Sequence, residues 1–326
     1  MNTLPAVGVD LGGSKVAAGL VAADGTLLAW ESEPTPGDVD KIPTVVGALV
    51  ERLTRDQAAV GVGIGAAGFV DADRATVRFA PNIDWADEPL AARVSAVVDL
   101  PVVVENDANA AAWGEFRFGA GEDVDDLLLV TLGTGVGGGI VHRGALFRGA
   151  FGVAAEIGHL RLVPDGVLCG CGQHGCFEQY ASGSALGREA RTHVQAGEPE
   201  AAAIAALQGD PGGITGPGIT GPGITGPGIT RLAHEGDPLS IRLLAELGQW
   251  AGEGIASLTA ILDPAVIAIG GGVAAAGDLI FDSIASAFEY HLPARVHRPQ
   301  AQLRLATLGN SAGIIGAADL SRTEAI

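Results

Sequence analysis

Twice in this chain, two apolar segments are joined by a glycine-rich turn too short to hold a helix. Residues 5–22 read PAVGVDLGGSKVAAGLVA, and 126–143 contain DLLLVTLGTGVGGGIVH. Such a turn returns the chain antiparallel to itself, so each segment is constrained to a β-hairpin with a tip of nearly bare backbone. A further apolar run at 26–33 follows Asp24-Gly25 and extends the first hairpin into a meander. Ile42, Val45, Val46, Leu49, Val50 and Leu53 share one helical face and predict a helix over 40–57. Apolar stretches at 59–68 and 101–105 predict strands, and 107–118 reads as a helix opened by an acidic first turn. Helices at 178–195, 237–262 and 311–321 and a strand at 264–269 complete the pattern. Strands mixed with helices in this way predict an α/β protein.

Composition narrows what such a fold can do. Hydrophobic residues make up 48% of the 326 and charged ones 17%, which suits a compact chain rather than a disordered one. No apolar run approaches the roughly 20 residues that span a bilayer, and residues 1–11 lack the pattern of a secretory signal. The formal charge of -19 repels nucleic-acid phosphates and anionic lipids, so neither nucleic acid nor membrane is expected as a partner. It also repels phosphorylated small molecules, so a phosphate site here has to work locally through backbone N–H groups, a metal ion or a single cation. The segment PGGITGPGITGPGITGPGIT at 211–230 is out of character. Its recurrent Pro and Gly predict neither helix nor central strand, but a disordered-like surface insertion.

The hairpin tips have the chemistry for a local phosphate site. In the first, Gly12 and Gly13 let the backbone approach phosphate oxygens, Ser14 adds a hydroxyl and Lys15 a cation. Asp10, at the strand end, is placed to hold Mg²⁺ through water. Thr134, Gly135, Gly137 and Gly138 repeat this chemistry in the second hairpin. Gly270, Gly271 and Gly272 follow an apolar strand and suit the base or ribose of a nucleotide. The Walker pattern is missing, which argues against a P-loop enzyme. The DxGGSK turn, the LGTGxGGG turn and the late GGG together resemble the phosphate 1, phosphate 2 and adenosine motifs of the actin-like ATPase and sugar-kinase superfamily.

Two other stretches bear chemistry. Asp107 stands where the strand 101–105 gives way to a helix, placed either to cap that helix or to take a hydroxyl proton, with Asn106 placed to orient a substrate. The stretch CGCGQHGC (169–176) holds every cysteine of the chain. Thiols confined to one loop favour a reducing compartment, and the cytoplasm is expected. Cys169, Cys171 and Cys176 supply three of the four ligands that a closed zinc site needs. His174, inside the loop, and His159, ten residues before Cys169, are the candidates for the fourth. Glu156 and Glu178 flank these ligands and read as either solvated charges or fixed polar groups of a pocket.

VENDANAAAWGE (104–115), EIGH (156–159) and CGCGQHGCFE (169–178) resemble the ROK family of repressors, open reading frames and sugar kinases, and within it the bacterial glucokinases. The resemblance runs from Val7 to LGNSAGIIGAA (308–318). It implies that Asp107 is the general base acting on a sugar 6-hydroxyl, and that Asn82, Asn106, Glu156, His159 and Glu178 contact the hexose. Gly68, in AAGFVD, falls at the sugar-side glycine loop. The resemblance assigns the fourth zinc position to His159, whose other ring nitrogen is then expected to face a sugar hydroxyl.

The expected architecture is therefore two α/β domains of the actin-like sugar-kinase fold around an interdomain cleft. Residues 1–112 with 308–326 would form the smaller domain and 113–307 the larger. The expected reaction uses ATP with Mg²⁺ and a hexose, glucose first, with N-acetylglucosamine, N-acetylmannosamine, mannose, allose and fructose as alternatives. Polyphosphate is the less favoured donor, because the late GGG suits adenosine. A homodimer or higher homo-oligomer is typical of such kinases. The family's repressors place a winged helix-turn-helix ahead of the first strand. The short stretch before residue 5 and the negative charge argue against that role here. Asp107 and both hairpins argue against a non-catalytic sugar-binding module.

Overall fold

The computed structural model describes residues 4–80, 83–207 and 223–323. In chain order the first elements are β1 (Ala6–Leu11), β2 (Lys15–Val21), β3 (Leu27–Pro34), α1 (Ile42–Thr54), β4 (Val62–Ala66), β5 (Phe69–Val70), β6 (Val77–Ala80) and β7 (Trp85–Glu88). Then come α2 (Leu90–Ser95), β8 (Val102–Asn106), α3 (Asp107–Phe118), β9 (Leu127–Leu132), β10 (Val136–His142) and β11 (Ala145–Leu146). The rest of the chain forms α4 (Glu178–Ala181), α5 (Gly183–Gln195), α6 (Ala202–Ala206), α7 (Gly226–His234), α8 (Pro238–Leu262), β12 (Val266–Gly270), α9 (Asp278–His291), β13 (Gln302–Leu305) and α10 (Ala312–Thr323).

Two compact units result. One comprises Met1–Leu129, Gly138–Ala155 and Ala306–Ile326, the other Val130–Gly137 and Glu156–Leu305. A division after residue 112, expected from sequence, would cut α3, which is one unbroken helix belonging wholly to the first unit.

In the first unit the sheet order is β3-β2-β1-β4-β8, with β1 parallel to β4 and β4 parallel to β8. Alternation of side chains puts Val7, Val9 and Leu11 into a core with Ile42, Val46, Leu49, Ile64 and Val104. On the other face Ala6, Ala17 and Val21 pack against Ile314, Ile315 and Ala318 of α10. Burying each large side chain of this kind stabilises by about 1.5–3 kcal/mol. Covered on both faces, β4 reads VGIGA and is buried throughout. Its register aligns Asp10 with Gly65 and Gly65 with Glu105, so the carboxyl ends of three parallel strands open at one edge. Ligands bind at such edges in open α/β sheets. The small sheet β5-β6-β7 was not legible in the sequence, because its strands are too short to show a period.

The remaining sheet has the order β11-β10-β9-β12-β13, with β12 parallel to β13. Two expectations need correction in the second unit. The helix read over 178–195 is broken at Ser182, which is extended (φ -108°, ψ 163°) and caps α5 through a 3.1 Å hydrogen bond from Ala185 N to its Oγ. The last pentad of the 211–230 repeat is helical, not disordered-like: Thr225 caps α7, Gly226–Thr230 form its first residues, and Ile224 and Ile229 are buried. Pro227 sits at the helix start, where a missing N–H costs no intrahelical bond. Residues 211–222 of the repeat lie outside the described residues.

Candidate active site

Asn106, not Asp107, caps α3. Its Oδ1 accepts from Asn109 N at 3.0 Å, while its Nδ2 donates to Gly68 O at 3.1 Å. The capping requirement that competed for Asp107 in the sequence is thus met by its neighbour. Asp107 becomes the first helical residue, its Oδ1 accepting from Ala108 N at 2.9 Å. Protein surrounds most of this partly exposed carboxyl, and the lost hydration raises its pKa against the hydrogen bonds that lower it. Asp10, at the same sheet edge, is pushed from 3.8 to about 6, first by burial and then by the charge of Asp107, with Lys15 opposing. Asn82 lies outside the described residues.

The tip after Asp10 is a tight turn closed by Gly12 N donating to Lys15 O at 3.1 Å. Thr35, just past β3, braces it by donating its hydroxyl to Gly12 O at 2.7 Å and its N–H to Ser14 O at 3.1 Å. Gly13, Ser14 and Lys15 are left exposed.

In the second unit, Gly133 N donates to Gly135 O at 3.0 Å to form the other tip. Gly183 N and Ser184 N, at the start of α5, donate to the carbonyls of Gly133 and Thr134. A methyl group at Gly135 would sit 2.7 Å from Glu178 Oε2, a contact that the flexible carboxylate relieves by turning. Gly137 and Gly138 lie within β10 rather than in the turn. Gly270 ends β12, and Gly271 (φ 87°) passes so near β9 that a methyl group would lie 2.5 Å from Leu132 O. Thr134, Gly272, Val273, Gly187, Arg191 and the segment Ile224–Pro227 line a pocket of about 270 Å³. A larger surface groove of about 570 Å³, between α1 and residues 97–100, offers no cation or glycine turn for phosphate.

The cysteine loop folds back on the segment before it. Arg161 bridges Cys176, and Phe177 N donates to Leu160 O at 2.7 Å, which brings His159 beside the thiols. Tyr180 Oη accepts from Val167 N at 2.9 Å and ties α4 to the same loop. One ligand atom from each of His159, Cys169, Cys171 and Cys176 lies within 4.8 Å of the others. The Nδ1 of His159 is 3.7 Å from Cys169 Sγ, and its Nε2 is 4.0 Å from Glu156 Oε2. His174 is turned elsewhere, with Nδ1 against Gly166 O at 2.9 Å. Burial pushes the Cys169 thiol upward, and its hydrogen bond to Glu178 Oε1 at 2.9 Å acts in the same direction. The side chains of His159 and Glu156 keep 34% and 37% of their surface exposed.

Two carboxyls raised above their usual range at a strand edge, two glycine turns and a His/Cys cluster are the parts that the sequence motifs implied. Residues 6–324 match the ROK family over nearly the whole chain. The chain belongs to the ROK family. Among its ROK relatives, the glucokinase of Streptomyces coelicolor is 48% identical over 317 residues, 97% of each chain. The crystal structure of a ROK family glucokinase from Streptomyces griseus in complex with glucose and AMPPNP aligns with a TM-score of 0.87 and 48% identity, covering 98% of this chain and 99% of that one. The ROK hexokinase from Thermus thermophilus aligns with a TM-score of 0.80 and 33% identity over 98% of this chain and 99% of that one. The mixed α/β architecture is thus the actin-like sugar-kinase fold of the ROK kinases.

The pocket is also lined by residues that the motifs do not mark. Arg191, Ile224, Thr225 and Pro227 line the pocket with Thr134 and Gly272, yet none was singled out. The Thr-Gly-Pro helix start at 225–227 was the available signal, hidden by its repetition upstream.

Proposed function

We infer that this chain is an ATP-dependent glucokinase, forming glucose 6-phosphate and ADP. The observation that carries the reading is the 48% identity with a glucokinase over 97% of both chains. The glucose and AMPPNP of the related crystal structure are the ligand types this site would take.

Asp107 is the general base. As the sugar O6 attacks the γ-phosphorus, the bond from that phosphorus to the β,γ-bridging oxygen breaks, and the hydroxyl proton passes to the Asp107 carboxylate. A raised carboxyl pKa makes it a better proton acceptor near neutral pH than an ordinary aspartate. Asn106, held by Asn109 N and Gly68 O, keeps the substrate side of that step in register, with Gly68 beside it. The turns at Gly12–Lys15 and Thr134–Gly135 orient and neutralise phosphate oxygens, and the pocket beside Gly272 takes the adenosine. Asp10, a half-buried carboxyl beside another acid, fits a site for hydrated Mg²⁺, which when bound offsets phosphate charge.

The His159, Cys169, Cys171 and Cys176 set fits zinc in donor type and spacing. The bound ion would supply a structural brace. With Nδ1 directed at the ligand cluster, the Nε2 of His159 is left to meet a sugar hydroxyl between Glu156 and Glu178. The confined thiols support a cytoplasmic setting. Among the described residues no helix is long and apolar enough to cross a membrane. A homodimer is the assembly that the resemblance implies.

A coupled assay over a panel of hexoses, with ATP and polyphosphate as donors, tests the reading. Glucose with ATP should give the highest kcat/KM. Preference for another hexose would correct the substrate, and no turnover with any of them would remove the activity.

A further inference from the structure

A buried ion cluster in the first unit has no part in the reaction just described. Glu105 is two residues before Asp107, and its side chain is 1% exposed; those of Arg74 and Arg148 against it are 10% and 11% exposed. A carboxylate at that depth is costly unless it is both paired and hydrogen-bonded. The two oxygens face different partners. Oε1 accepts from Asn106 N at 2.9 Å and from Asn109 Nδ2 at 3.1 Å. Oε2 lies 2.7 Å from Arg148 Nε and 3.1 Å from Arg74 Nε.

Arg148 uses its remaining donors on backbone, giving Nη1 to Ala72 O at 2.8 Å and Nη2 to Asp71 O at 2.7 Å. The turn that carries it lies flat on the same loop: Gly152 has φ 86°, and a methyl group there would be 2.6 Å from Val70 O. Asn106 closes the circuit through its hydrogen bond to Gly68 O. One guanidinium thus joins the strand end that leads to Asp107, the loop 68–72 and the segment 148–155.

We propose that Glu105 and Arg148 are positioning residues for phosphoryl transfer, their ion pair locking the Gly68–Ala72 loop to the Asn106-Asp107 step so that sugar and base keep one geometry. This rests on the reading of Asp107 as the base. Arginine is required because its planar fork reaches a carboxylate and two carbonyls together, which a lysine ammonium does not. The effect reaches Asp107 through Asn106, whose N–H Glu105 Oε1 accepts, and the start of α3.

The test compares Arg148→Ala, Arg148→Lys and Glu105→Gln with the parent, using glucose and ATP and kcat per folded enzyme. Displacing the base relative to the hydroxyl should lower kcat on the order of 100-fold in Arg148→Ala, with ATP KM within about twofold. Lysine should not restore it, whereas added guanidinium ion should recover part of the Arg148→Ala loss. Adding Glu105→Gln to Arg148→Ala should cost little more, because the pair acts as a unit. If a single variant fails to fold, Glu105→Gln with Arg148→Met removes both charges and should show the same drop. Folded variants with kcat within about threefold of the parent, or a lower Tm with unchanged kcat, overturn the proposal. A parent chain that does not phosphorylate glucose counts against the proposed function instead.

Discussion

Asp107 acts on Asp10. Burial contributes most, the charge of Asp107 adds to it and Lys15 opposes it, and the Asp10 carboxyl ends at about 6 instead of 3.8. The register that aligns Asp10, Gly65 and Glu105 sets this up, since Asp107 follows Glu105 by two residues at the same edge. In the Asp107→Asn variant the Asp10 carboxyl should titrate lower, as read from its side-chain carbon by NMR. An unchanged value would mean that the two carboxyls do not share this edge.

The same shift predicts a pH-dependent stability. A carboxyl whose folded pKa lies above its unfolded one binds protons more tightly when folded, so the native state loses stability as pH rises from about 4 to 6. Removing the group should therefore stabilise the ligand-free protein at pH 8, by roughly 1–3 kcal/mol, and do almost nothing near pH 4. Asp10→Asn melts followed across that range test it. A gain at pH 4 as large as at pH 8 would contradict the sign.

Activity should show the raised Asp107 pKa directly. The base must be ionised, so kcat/KM for glucose should fall as pH drops, with a midpoint above the ordinary aspartate value of about 3.9. A rate that stays flat down to about pH 4 would mean that another group takes the proton.

The zinc reading predicts a split between substrates. Parent protein should carry about one zinc per chain, and Cys176→Ser should lose most of it, melt lower and raise glucose KM more than ATP KM. His174→Ala should leave metal content unchanged, because His174 faces Gly166 O. Protein that purifies without zinc and still binds glucose normally would refute the brace.

The repeat yields a different kind of prediction. Deleting residues 216–220 leaves the sequence ITGPGITRLAH, with its Thr cap and its pocket-lining Ile, Thr and Pro, unaltered. ATP KM should then stay within about twofold, whereas Thr225→Val, which removes the cap, should raise it and cost about 1 kcal/mol. A deletion that abolishes ATP binding would assign the upstream pentads a role of their own.

What the sequence revealed depended on distance along the chain. The Gly12–Lys15 turn, the cysteine loop and the helix start at Asp107 are local patterns whose chemistry is written in neighbouring residues. His159 needed only the chain return that Arg161 and Cys176 supply. Glu105 and Arg148 meet across 43 residues, and nothing in either neighbourhood marks the partner. Arg191 and Ile224 meet only in the folded chain, where Arg191 Nη1 donates to Ile224 O at 3.4 Å. The sequence leaves the cap of α3 open, because Asp favours that position as strongly as Asn, and only the backbone decides between adjacent candidates.

The most direct test of the account is Asp107→Asn, assayed for glucose phosphorylation by ATP alongside calorimetric glucose binding. The carboxylate is replaced by an amide of the same shape, so the site persists without its base. The account predicts that kcat falls by about 10²–10⁴-fold while glucose affinity changes only a few-fold. A variant that phosphorylates glucose within about tenfold of the parent rate would contradict it.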